Sequence, residues 1–139
     1  MTKEIWINLP VKHVEKSKAF FAALGFTIHP GHGDKNSACI LMGEKNIAVM
    51  LFEENMFKGF TRHPLTDTRQ NSEVLISFDA ESIEEVDDLA AKAEQSGGTL
   101  FGKPESIQGW MYGCGFCDPD GHRWNVLYMD KSKMPSNFN

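Results

Sequence analysis

The chain has 139 residues, enough for one domain with its own core or for two small modules fused into one. Its net charge of −5 is spread along the chain without a basic cluster, which argues against nucleic acid as the partner. No segment has the apolar length of a signal peptide or a membrane span, so we expect a cytoplasmic protein that does not contact a membrane.

The first half predicts a strand, a helix and three further strands. Ile5, Ile7, Leu9 and Val11 alternate with other residues, as in a half-buried strand, and helical spacing follows over 14–24. Gly25 caps this helix. The remaining predicted segments are strands at 26–28, 38–42 and 47–52, a loop at 29–34 and a hairpin turn at 43–46.

A polar segment at 54–71 separates the halves and carries several apolar residues, Met56, Phe57, Phe60 and Leu65. Two interpretations are compatible with it. It is a loop that packs onto the domain, or it is a lid over a pocket.

The second half repeats the order of the first. A strand with Val74, Ile76 and Phe78 on one face begins at Glu73, and Ser82 with Glu85 forms a capping box before a helix. The predicted buried stripe of that helix is Ile83, Val86, Ala90 and Ala93. The remaining predicted segments are strands at 99–101, 110–117 and 124–129, a loop at 102–108, a tight turn at 118–122 and a polar, frayed tail at 131–139.

The cysteines and histidines give no strong site. Cys114 and Cys117 fit a C-x-x-C pattern, but they lie in a strand-like run rather than at the start of a helix, so we expect a structural role. His29 and His32 could hold a surface metal, although all five histidines are interpreted as solvated surface residues (His13, His29, His32, His63 and His122).

Three features together resemble the vicinal oxygen chelate superfamily, which includes glyoxalase I, bleomycin resistance proteins and extradiol dioxygenases. They are the helix end Leu24-Gly25-Phe26, the Asp118-Pro-Asp-Gly-His122 turn and the repeat itself. Within the superfamily the chain looks most like bacterial proteins called predicted lactoylglutathione lyases. The resemblance implies an α+β fold of two βαβββ modules, whose sheets curve into a cup. The single glyoxalase-like domain would span 1–130, with module one at 4–53 and module two at 72–130.

The resemblance also locates the metal ligands of those members that use a metal. Each module contributes one residue from its first strand and one from its last, and the four positions map here to Trp6, Ala48, Glu73 and Asn125. Trp6 and Ala48 cannot donate a lone pair to a cation, so we expect no tightly held metal and no other cofactor. A weak alternative is a metal held by Glu73 and Asn125.

Strand alternation extends these positions to the rest of the cup wall, which is mostly apolar and aromatic. The predicted ligand-binding residues are Trp6, Asn8, Met50, Phe52, Glu73, Leu75, Ser77, Asn125 and Leu127, with Met129 beyond them. The opposite faces should be buried against the helices, through Ile5, Ile7, Val74, Ile76, Phe78 and Val126.

Two functions remain open. The first is a binding protein of the bleomycin-resistance type, which holds a flat or cationic small molecule without a metal and forms a homodimer. The alternative is a lactoylglutathione lyase-like enzyme that acts on a carbonyl or thiol-adduct substrate. In that case Glu73, whose anion an apolar cup would disfavour, is the general base, and Asn125 or Asn8 steadies an oxyanion.

Overall fold

Each half of the chain forms one four-stranded sheet with helices against it. In this computed structural model, which describes residues 1–138, the chain divides into two units, Met1–Asn71 and Ser72–Asn139. The elements of the first unit are β1 (Trp6–Val11), α1 (Val14–Ala23), β2 (Thr27–Asp34), β3 (Ser37–Met42), β4 (Ile47–Glu53) and α2 (Glu54–Thr61). Its strand order is β1-β4-β3-β2, with β1 parallel to β4 and the other pairs antiparallel.

The second unit repeats this arrangement. Its elements are β5 (Leu75–Asp79), α3 (Ile83–Gln95), β6 (Thr99–Ile107), β7 (Met111–Cys117) and β8 (Arg123–Met129). The strand order is β5-β8-β7-β6, again with one parallel pair, β5 with β8. The predicted α+β class and the pair of βαβββ modules are therefore confirmed.

One face of each sheet packs against the long helix of its own unit. In the first unit α1 contacts β2, β3 and β4, and the edge-to-face pair Phe20 and Phe21 lies in that core with Ile40 and Leu51. In the second unit α3 packs on β7, β6 and β8, and the Phe116 ring stacks on Trp124 with centroids 6.3 Å apart. Burial of large apolar side chains on this face leaves the other face of each sheet available for a site.

Two strands are longer than the sequence predicted. The expected loops at 29–34 and 102–108 are largely strand, because β2 extends to Asp34 and β6 to Ile107. Both strands contain register shifts, between Ile28 and Gly33 in β2 and within the stretch from Leu100 to Glu105 in β6. These irregular stretches disrupt the alternation by which a strand is recognised in a sequence.

The segment between the halves is also more ordered than a loop. It begins with α2, whose first turn is capped by Glu53, because the Glu53 carboxylate accepts hydrogen bonds from the backbone N–H groups of Asn55 and Met56 at 3.0 and 3.4 Å. The helix ends at Arg62, which adopts the left-handed conformation with φ of 57°. The Phe60 ring meets the Phe52 ring edge-to-face with centroids 5.0 Å apart.

Some predicted details are wrong at the ends of elements. Ile5 and Val74 were expected to be buried, but both precede their strands and are exposed. Ile83 is likewise exposed at the start of α3, and Leu89 completes the buried stripe instead. The Ser82 cap is confirmed, since its hydroxyl accepts from the Glu85 N–H at 3.1 Å. The Glu85 carboxylate accepts from the backbone N–H of Glu81, one residue before the N-cap, rather than from that of Ser82.

The C-terminal tail contains two short 3-10 helices, Lys131–Lys133 and Ser136–Phe138, where the sequence predicted a frayed segment. The last predicted tail residue, Asn139, lies outside the described residues. No helix within residues 1–138 combines the length and the apolar character needed to cross a bilayer.

Candidate functional site

The first candidate surface is the face of the first sheet opposite α1, here called face one. Strand alternation directs Leu9 and Val11 into the core, so Trp6 and Asn8 point away from α1. The register pairs Trp6 with Ala48 and Asn8 with Met50, which brings these predicted residues together on adjacent parallel strands. Trp6 is 60% exposed.

Part of face one is covered by α2 at the C-terminal end of β4. The face-one side chains of β4 are half-buried, namely Ala48, Met50 and Phe52. The Phe52 ring contacts the Phe60 ring of α2 edge-to-face. The neighbouring strand adds a buried thiol, Cys39, which is the register partner of Met50 and whose pKa is raised by burial. The surface is therefore apolar and aromatic, with Asn8 as a polar group at its exposed edge.

The second candidate surface is the face of the second sheet opposite α3, here called face two. The core side of its central strand is occupied by Trp124 and Val126, so Asn125 and Leu127 point the other way. The register pairs Ser77 with Asn125 at the centre of this face. Leu75, at the start of β5, is exposed.

The structure places Glu73 differently from the sequence analysis. The strand begins at Leu75, so Glu73 lies before it, and the residue opposite Asn125 is Ser77, four residues further on. Glu73 is exposed, so it does not lie in the apolar surroundings that the sequence predicted for it. The proposed pair of Glu73 and Asn125 therefore does not lie opposite each other across two strands.

Face two also contains a cation that the sequence analysis did not name. Arg123 is the register partner of Leu75 and lies two residues before Asn125, on the same face. Its guanidinium carbon is 4.5 Å from the centroid of the Phe101 ring. The alternation already used for Asn125 and Leu127 reaches Arg123 when it is continued by one step toward the N-terminus, so the signal was present in the sequence.

The Phe101 ring lies on the backbone of Gly115. A Cβ atom at Gly115 would clash with this ring, so the absence of a side chain there allows Phe101 to approach the sheet. Gly115 is the register partner of Asn125 on β8, so the ring lies beside Asn125. Sequence reasoning could not foresee this contact, because the register shifts in β6 decide which way Phe101 points.

The two cysteines of the C-x-x-C pattern lie on opposite faces of β7, so their thiol groups do not face each other. Residues three apart in a strand point to opposite sides, and the cysteines are free. Burial raises the pKa of Cys114 to about 11, which keeps it as a thiol. This agrees with the structural role expected for the pair.

A polar cavity of about 220 Å³ lies elsewhere in the first unit, beside α1 and the irregular part of β2. His29 and His32 line it with their rings 4.4 Å apart, and Glu15 and Lys18 line it from the helix. The His29 Nδ1 atom accepts the Gly31 N–H at 3.0 Å. That bond uses one of the two ring nitrogens of His29 as an acceptor.

The chain matches known proteins over most of its length. A family model described as bleomycin resistance protein-like N-terminal matches residues 3–43. A hypothetical protein from S. aureus is 35% identical, with a TM-score of 0.82 over 92% of this chain and 94% of that chain. No curated protein sequence matches it.

More distant structures show the same fold. A glyoxalase-related enzyme from Fulvimarina pelagi has a TM-score of 0.78 at 16% identity, over 92% of this chain and 88% of that chain. A fosfomycin resistance protein from Listeria monocytogenes has a TM-score of 0.66 at 18% identity, over 95% of this chain and 97% of that chain. The chain therefore has the fold of the glyoxalase/bleomycin resistance proteins.

Because the chain resembles the vicinal oxygen chelate superfamily, the paired strand positions are where a metal site is tested. The pairs are Trp6 with Ala48 and Ser77 with Asn125. They contain no imidazole, thiolate or carboxylate, and divalent transition metals in proteins rest on such ligands. Within residues 1–138 no group of three histidine, cysteine, aspartate or glutamate side chains is arranged to hold a metal ion. The donor atoms of these four side chains do not fit the transition metal held by the metal-using members of the family that the chain resembles.

Proposed function

We propose that the protein binds small, flat organic molecules without a tightly held metal, on face one within the first unit and on face two within the second. The observation that carries the proposal is the chemistry of the paired positions. Three of the positions that the resemblance maps to metal ligands, Trp6, Ala48 and Asn125, carry an indole, a methyl group and a neutral amide. Ser77, opposite Asn125, adds a hydroxyl group. A surface of this composition favours stacking and single hydrogen bonds over coordination.

The side chains around these pairs support the same function. Trp6 offers an exposed ring, and Phe52 and Met50 offer apolar surface beside it on face one. On face two, Asn125 has both a donor and an acceptor and can orient a polar substituent of the ligand. Apolar contacts provide most of the binding free energy at such sites, and a few polar groups select the ligand.

The catalytic alternative is a lactoylglutathione lyase-like reaction with Glu73 as general base. This reaction requires Glu73 to lie close to the substrate. One experiment distinguishes it from the binding function. Protein exposed to excess Ni²⁺ or Zn²⁺ is dialysed, its metal content is measured, and hemithioacetal isomerisation is assayed in the same samples.

The binding function predicts less than stoichiometric metal and no isomerisation above the uncatalysed rate. It also predicts that 2-naphthamide, a flat neutral probe, raises the melting temperature in a saturable way. Trp6→Ala should weaken this binding by about tenfold, because a stacking ring is lost. Trp6→Phe keeps an aromatic ring at this position and serves as the matched control. Stoichiometric metal with turnover that Glu73→Gln abolishes would replace this proposal by the enzyme.

Cytoplasmic location and dimerisation are parts of the proposal that rest on the sequence and on the resemblance. Exposed apolar side chains on the two faces, such as Trp6 and Leu75, support association with a second copy.

A further inference from the structure

We propose that the molecule bound on face two carries an oxyanion, such as a carboxylate or phosphonate, which Arg123 receives. This inference rests on the proposed function and adds the charge of the ligand to it. The sequence alone favours a flat or cationic ligand, because it predicts the Glu73 carboxylate in the cup. The structure instead puts Arg123 in the row next to Asn125 on face two.

The arginine is held by a platform built from three strands. Phe101 of β6 lies over Gly115 of β7, and the Arg123 guanidinium of β8 lies over the Phe101 ring at 4.5 Å from its centroid. A guanidinium that stacks on a ring keeps its N–H donors in its own plane, so they remain directed past the ring. The platform therefore orients the cation and leaves its donors usable.

The charge of Arg123 is not neutralised within the described part of the chain. Arg123 is half-buried, and no carboxylate of residues 1–138 forms an ion pair with it. The strand carboxylates Asp79 and Glu105 belong to the row of Leu127 and Gly113. That row is four residues away along β8, roughly 13 Å at the rise of a strand.

The neighbours of Arg123 fit an aromatic oxyanion. Asn125 lies two residues further along the strand, about 7 Å away, and its amide can donate to a second oxygen of the anion. Leu75 is directly across from Arg123, and the exposed part of Phe101 offers ring surface. Charge-assisted hydrogen bonds are about twice as strong as neutral ones, so the anion would dominate selection among flat ligands.

The test uses two probes of the same shape, 2-naphthoate and 2-naphthamide, which differ in charge. Both are titrated into the full chain while backbone amide resonances are followed, with the unliganded spectrum and the melting temperature as checks of folding. Wild type should bind naphthoate about tenfold more tightly than naphthamide. The largest shifts should fall on the amides of Gly115, Arg123 and Asn125, and added salt should weaken naphthoate more than naphthamide.

Arg123→Gln should bring the two affinities together by weakening naphthoate alone. Arg123→Lys, which keeps the charge without the flat stacking group, should retain part of the preference. Arg62→Gln removes an arginine charge from the first unit and is the matched control, for which the preference should stay as in wild type.

Equal affinities in wild type, or a preference that survives in Arg123→Gln, would overturn the oxyanion assignment and leave the proposed function in place. Shifts for both probes outside face two would also overturn it. Failure of both probes to bind would overturn the proposed function, and this inference with it.

Discussion

Asp118 is a buried residue whose hydrogen bonds stabilise the Asp-Pro-Asp-Gly turn. Its side chain is 4% exposed and accepts three hydrogen bonds, from the backbone N–H groups of Asp120 and His122 at 2.9 and 3.1 Å and from the Trp124 indole N–H at 3.1 Å. The carboxylate thus fixes the turn and anchors the largest core residue of the second unit. Burial raises its pKa, and the nearby His122 imidazole and the Trp124 hydrogen bond oppose this.

Asp118→Ala should lower the free energy of unfolding by about 3 kcal/mol, because it removes the acceptor of two turn amides and of the buried indole N–H. Asp118→Asn should cost less, since its amide oxygen can still accept from the turn. Urea denaturation of both variants measures the difference. Equal stabilities for Asp118→Ala and wild type would show that the turn forms without this carboxylate.

Wild type and Asp118→Asn together test the direction of the Asp118 pKa shift. The folded state binds the Asp118 proton more tightly than the unfolded state does. The carboxyl group therefore adds stability below its unfolded pKa, and that stability is lost as the pH rises through the folded pKa. Measured from about pH 4 upward, the stability of wild type relative to Asp118→Asn should fall with pH. A rise with pH would contradict the assigned direction.

Among the elements, β6 and β7 show how a missing side chain creates a surface. Gly115 carries the Phe101 ring, whereas Gly102, its register partner on β6, has only ordinary van der Waals contacts at its Cβ position. Neither glycine has a positive φ, so an alanine at either position is not strained by the backbone itself. Alanine substitutions at the two glycines therefore distinguish displacement of the Phe101 ring from a general effect of a side chain in these strands.

Gly115→Ala should displace Phe101 and loosen Arg123, while the overall fold remains, because Phe101 is partly exposed and can swing outward. We expect a loss of stability of about 1 kcal/mol and a clear loss of naphthoate affinity. Gly102→Ala is the control and should change that affinity little. If both alanines leave naphthoate binding unchanged, the platform is not part of the site.

The irregular strands show why element boundaries differed from the prediction. The residues at 29–34 include proline and glycines, which are typical of loops, yet they pair with β3 across a register shift. Pairing with a distant strand satisfies their backbone groups, and local propensity does not report such pairing. The same reason explains β6, whereas the regular strands β3, β4 and β8 were predicted to within one residue at either end.

For the whole molecule, the repeat is the dominant feature. Both units use the strand order β-first, β-last, β-third, β-second, so equivalent pairs of strands occupy the centre of each sheet. Each unit leaves large apolar side chains exposed, among them Trp6, Leu75 and Phe60. Exposed apolar surface of this kind is typical of ligand sites and of protein interfaces.

We expect the protein to form a dimer in solution, as the resemblance implies. Sedimentation equilibrium should give about twice the chain mass of 15.6 kDa, with a monomer appearing on dilution. A second copy would cover apolar side chains that a single chain exposes. A mass equal to one chain throughout a concentration series would contradict this expectation and would leave the binding proposal to be judged on the monomer.

The sequence by itself determined the repeat, the fold class and the residues of β1 and β4 that share a face. The repeat follows from periodicity, glycine caps and turn residues, all of which act over a few neighbouring residues. The fold class and the shared face follow from the resemblance to a known family. The tertiary structure decided what lies opposite Asn125 and what lies on Gly115. The residue opposite Asn125 is Ser77 rather than Glu73, and Arg123 and Phe101 lie on face two. The reason is that strand register and bulges depend on pairing between distant segments, and a shift of one residue reverses which side chains reach the site.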